Sequence, residues 1–124
     1  MENIRTHREL RVYKLAFATA QEIYQLSREF PPVEKYSLTD QIRRSSRSVC
    51  ANIAEAFRMR RYPAAFVSKL TLSEGEAAET QVWLEFSESC EYLTSEFRNE
   101  LDEKYEKILG MLVNMIHHPE RWKI

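Results

Sequence analysis

The sequence predicts an all-α protein, an antiparallel up-down four-helix bundle that assembles as a ring-like homo-oligomer. Apolar residues recur at helical spacing through four segments that together cover most of the 124-residue chain. Two glycines and four prolines leave little turn material for a fold of many short strands. The first and third segments are apolar on two flanks, where a monomeric bundle needs one. Connections this short favour antiparallel neighbours.

The elements follow from local signals. A first helix is expected from about His7 to Phe30, stopped by Pro31-Pro32, which cannot continue it. SLTD opens a second, with Ser37 as N-cap and Asp40 in the acidic position of a capping box, running to Arg58 or Arg60. Pro63 suits the first turn of a third helix, reaching about Tyr92, with Gly75 as a candidate bend or close packing point. A fourth runs from Ser95 to Ile116, with His117-His118 ahead of the stop at Pro119. No composition shift marks a linker, so residues 1–124 read as one domain.

The wheels assign faces. Val12, Leu15, Ala16, Ile23, Leu26 and Phe30 form the core stripe of the first helix; Phe66, Leu70, Ala77 and Leu84 form that of the third. In the fourth it is Phe97, Leu101, Tyr105, Ile108, Leu112 and Met115. The second stripes place Tyr13, Phe17 and Tyr24, with Trp83 and Phe86, at a subunit interface; Leu72 and Cys90 share the latter flank.

Charge is segregated behind a net value of −1. Residues 1–72 carry 13 Lys/Arg against 7 Asp/Glu, and residues 73–124 carry 5 against 12. The stretch QIRRSSRSVCANIAEAFRMRR holds six arginines and a single acid, Glu55. On the second helix Arg44, Ser48, Asn52 and Glu55 read as a structural polar seam against neighbouring helices. Arg43, Arg47, Arg58, Arg60 and Arg61 read as outward and able to follow a phosphate backbone. The competing reading is a protein-interaction scaffold whose arginines meet acidic surfaces, with Glu74, Glu76 and Glu79 as candidates to answer them.

Other chemistry has little footing. There is no GxGxxG, P-loop, HExxH or GxSxG. Cys50 and Cys90 lack metal-ligand or disulfide-framework spacing, and His117 and His118, as adjacent residues, do not share a helix face. The expectation is a non-enzyme without metal or cofactor. The charged start MENIRTHREL and the absence of a long apolar run predict a cytoplasmic protein without a membrane partner.

Two stretches, FPPVEKYSLTDQIRRSSRSVCANIAEA (residues 30–56) and EAAETQVWL (residues 76–84), resemble the bacterial 23S ribosomal RNA intervening-sequence proteins. The resemblance extends over about residues 8–115. It implies a four-helix bundle in a ring-shaped homopentamer, of unsettled biochemical function and with no established catalytic residues. That family resembles in turn the accessory variability protein of diversity-generating retroelements, which partners a reverse transcriptase and binds nucleic acid. RNA or DNA, a reverse transcriptase or another protein are therefore the partners implied, beside further copies of the chain. Ala56 stands where glycine is common after NIAE, and the chain is less basic than the retroelement relative.

Overall fold

The computed structural model describes residues 4–124. Among these there are four α-helices and no strand: α1 (Arg11–Ser27), α2 (Leu38–Arg58), α3 (Pro63–Ser89) and α4 (Ser95–His117). Short 3-10 turns stand at His7–Glu9, Pro32–Glu34 and Pro119–Arg121. Each helix packs on its neighbours in sequence, and α4 closes back on α1. No helix among the described residues is long and apolar enough to cross a membrane.

The helix ends follow the prolines except where side chains intervene. α1 begins at Arg11 rather than His7. Glu9 turns its carboxylate back onto the backbone N–H groups of Arg5 (2.6 Å) and Thr6 (2.9 Å), closing a separate turn. Leu10 then adopts extended backbone and is buried. At the other end α1 stops at Ser27, not Phe30; the Phe30 ring is buried and packs on Tyr92, 5.4 Å between centroids.

Ser37 occupies the N-cap position of α2 but does not cap it. Its hydroxyl donates to Glu34 Oε1 (2.6 Å), and that oxygen accepts the Leu38 N–H (3.2 Å), so Glu34 caps the helix. Asp40 does not fold back as a capping box would require; it lies 4.0 Å from Arg44 one turn on. α3 starts with Pro63 in its first turn and ends at Ser89, short of Tyr92. Glu91 there adopts left-handed backbone at φ 66°. The Tyr92 N–H bonds the Ser87 carbonyl (2.8 Å) and the Glu91 N–H that of Glu88 (2.9 Å), the pattern of a Schellman terminus. The Thr94 hydroxyl caps α4 by accepting the Phe97 N–H (3.2 Å).

The core takes Val12, Ala16, Ile23 and Phe30 as the wheel expects, with Leu15 and Leu26 half-buried at its edge. In α3 buried positions recur at alternating spacings of four and three: Phe66, Leu70, Ser73, Ala77, Thr80, Leu84 and Ser87. Small residues at these positions face Ser45 and Val49 on α2, which lets the two backbones approach closely. Ser73 Oγ donates across the gap to the Val49 carbonyl (2.8 Å), and Thr80 Oγ1 to Ser45 Oγ (2.8 Å).

Phe97 departs from the expected α4 seam: it is half exposed, while Leu101, Tyr105, Ile108, Leu112 and Met115 are buried. The fully buried Tyr105 phenol neighbours Thr80 yet makes no hydrogen bond. Gly75 is not a close packing point. α3 runs unbroken through it, it is exposed, and a Cβ there would meet nothing within 4 Å. Cys50 is buried, which pushes its thiol up to about 11, whereas Cys90 is exposed.

Candidate nucleic-acid interface

α2 touches α1 on one flank and α3 on the other, and this decides what each arginine does. Arg43 lies on the α1 flank. Its Nε donates to Ser27 Oγ (2.7 Å), and its guanidinium carbon stands 4.8 Å from the centre of the Tyr24 ring. Arg47, one turn on, lies 5.6 Å from the same ring and is exposed. Tyr24 is thus the ring against which two guanidinium groups rest, an arrangement in which the π face attracts the cation.

The expected division of labour between Arg43 and Arg44 is reversed. Arg44, read as part of the structural seam, has a side chain that is 76% exposed and reaches only Asp40 on its own helix. Arg43, read as outward, is half-buried and ties α2 to α1. The remaining seam residues separate too. Asn52 Nδ2 donates to the Ser48 carbonyl (2.9 Å) and hydroxyl (3.1 Å) within α2. Glu55 does cross to a neighbouring helix, pairing with Lys69 of α3 at 2.8 Å.

Arg58 and Arg61 are exposed at the far end of α2 and in the turn after it. Arg60 is held down. Its Nε donates to the Phe57 carbonyl (2.8 Å), and its guanidinium lies 3.6 Å from the Phe57 ring centre. Burial first, and the charge of Arg58 second, hold its pKa below the ordinary arginine value.

None of Arg43, Arg47, Arg58, Arg60 and Arg61 forms an ion pair with a carboxylate among the described residues, while five pairs form elsewhere. The α3 acids do not answer them. Glu76 sits beside Glu79, and burial, then the neighbouring charge, raises the Glu76 carboxyl above its ordinary value. Glu88 pairs with Arg98 (2.8 Å) and Glu22 with Lys104 (2.7 Å), each acid meeting a base of α4.

The aromatic residues assigned to a subunit interface fall into two groups. On α1, Phe17 is 50% exposed and tilts against the half-buried Tyr13, 6.0 Å between centroids, while Tyr24 is covered by arginines. On α3, Phe86 is 51% exposed and stacks obliquely with half-buried Trp83, whose Nε1 is buried without a partner. Leu72 and Val82 extend that apolar strip. A shallow groove beside it is lined by Leu38, Gln41, Trp83, Phe86 and Cys90. Sequence reasoning missed Ser27 and Tyr24 as partners of the arginines. A serine less than one turn past a tyrosine, on the flank facing a basic helix, is the signal that could have found them.

The sequence profile described as "23S rRNA-intervening sequence protein" matches residues 8–114. Among solved structures, one from Bacteroides thetaiotaomicron VPI-5482 is similar, a protein of unknown function from the S23 ribosomal protein family. It is 30% identical, with a TM-score of 0.77 over 85% of this chain and 97% of its own. No curated protein matches the chain.

Proposed function

We propose, from the premise that the chain belongs to the 23S rRNA-intervening sequence protein family, that it is a non-catalytic accessory protein binding structured RNA or DNA. The binding face is the arginine flank of α2, carried on an up-down bundle that assembles as a ring-like homopentamer. The observation that carries this reading is the set of arginines without carboxylate partners among the described residues, in a chain of net charge −1. Arg43 and Arg60 also serve the fold, through Ser27 and Phe57, whereas Arg47, Arg58 and Arg61 stay exposed and, unlike Lys69, Arg98 and Lys104, meet no acid among the described residues. Repetition around a ring would bring several such flanks into one positive field.

The test is anisotropy of a labelled RNA hairpin titrated with protein across salt. The wild type binds. In the Arg47→Gln, Arg58→Gln, Arg61→Gln triple variant the log–log slope falls in magnitude by about 0.7–0.9 for each phosphate no longer neutralised. Absence of binding at about 50 mM salt rejects the reading.

A scaffold function is favoured by one separate feature, the α3 strip of Leu72, Val82, Trp83 and Phe86, an apolar surface of the kind that marks protein contacts. A native mass equal to one chain rejects the ring, and with it the use of this strip between copies.

A further inference from the structure

We infer that the part of the nucleic acid held on this flank is unpaired, with Phe17 as the ring on which an exposed base stacks. This rests on the nucleic-acid reading and narrows it. Phe17 lies outside the core cluster, which includes its neighbour Tyr13 at the edge, and half of its surface faces solvent. A phenylalanine there contributes little to the fold. Its orientation is nevertheless fixed from behind: Tyr13 tilts against it at 33°, and His7 meets Tyr13 edge-on at 4.7 Å.

The ring stands next to the cations. Phe17 and Tyr24 are seven residues apart, two turns, and so share nearly the same face of α1 at about 10 Å separation. Tyr24 carries Arg43 and Arg47. Those contacts, with Arg43 on Ser27, set α2 antiparallel to α1 and bring the turn of residues 50–54 to the level of Phe17. Ala51 and Ala54, the alanines of that turn, are too short to cover the ring, which stays half exposed. Guanidinium groups followed by an open aromatic face are what a single strand requires, a contact for the phosphate and a platform for the adjacent base. A duplex uses only the first, since its base faces are already stacked. The cationic edge is complementary to a polyanion and repels a second copy placed symmetrically against it.

The experiment compares a labelled single-stranded RNA with its duplex at one low salt concentration and across a salt series, for the wild type, Phe17→Ala, Phe17→Tyr and Arg47→Gln. The wild type prefers the single strand. Phe17→Ala weakens single-strand binding roughly tenfold, leaves the duplex and the salt slope unchanged, and Phe17→Tyr restores affinity. Arg47→Gln weakens both and lowers the slope. If the wild type binds both forms and Phe17→Ala affects neither, or both alike, the stacking platform is overturned while nucleic-acid binding stands. If Phe17→Ala changes the native mass, the ring belongs to a subunit contact, which also overturns it. If neither form binds the wild type, the parent reading fails and takes this one with it.

Discussion

Arg43 and Arg44 are adjacent, equally charged and on the same amphipathic helix, yet only one of them holds two helices together. Replacing Arg43 with alanine removes a charge-assisted bond to Ser27 and a cation–π contact with Tyr24, for a loss of about 1–2 kcal/mol in urea denaturation. Arg44→Ala removes a loose exposed pair at 4.0 Å and changes stability by less than about 0.5 kcal/mol. Equal losses would contradict the assignment. The sequence could not separate them. Successive residues diverge by about 100° on a helix, so both flank the apolar face, and which flank meets α1 is decided by packing order. Glu55 was legible as reaching a neighbouring helix because Arg44, on the same stripe of α2, is three turns away and out of reach, and Lys69 supplies the partner.

The helix boundaries show the same division between what is local and what is not. Pro31, Pro63 and Pro119 mark their turns through missing N–H groups and fixed φ, properties that no tertiary contact alters. The end of α3 carries neither proline nor glycine, and the periodic pattern runs on into Tyr92. What stops it is Glu91 in left-handed backbone, closing the carbonyls of Ser87 and Glu88. A side chain with a Cβ is strained in that region by about 1 kcal/mol. Glu91→Gly therefore raises stability by about 1 kcal/mol, read as a melting temperature higher by about 3–5 °C. A fall instead would mean that the Glu91 side chain contributes something the terminus does not reveal.

Across the whole molecule, Glu34 joins the connection before α2 to the one after α3. It accepts the Ser37 hydroxyl, the Tyr92 hydroxyl (2.9 Å) and the Leu38 N–H. The Ser37 bond first, then Tyr92 and Leu38, hold its carboxyl below the ordinary value. A carboxyl depressed by folding stabilises the protein above its unfolded value, and that contribution disappears as pH falls through the folded value. Tyr92 is raised by the same bond, so its share is present below its unfolded value and is lost as pH rises past it. The urea midpoint of the wild type should exceed that of Glu34→Gln at pH 7, and the gap should close on acidification below about pH 4. A gap independent of pH would show that the carboxylate charge plays no part. The segregation of charge between the halves was plain from the sequence, whereas the lack of a carboxylate partner for the five arginines among the described residues depends on which helices meet and could be seen only in the fold.

The two cysteines turn the chain into a site-selective probe as it stands. Cys50 is enclosed, and the burial that pushes its thiol up to about 11 also keeps an alkylating dye away from it. Cys90 is open to the same dye at the mouth of the groove beside Trp83 and Phe86. One reagent, without mutagenesis, thus sets a single fluorophore next to an indole, and any molecule that settles into the groove would announce itself as a change in quenching.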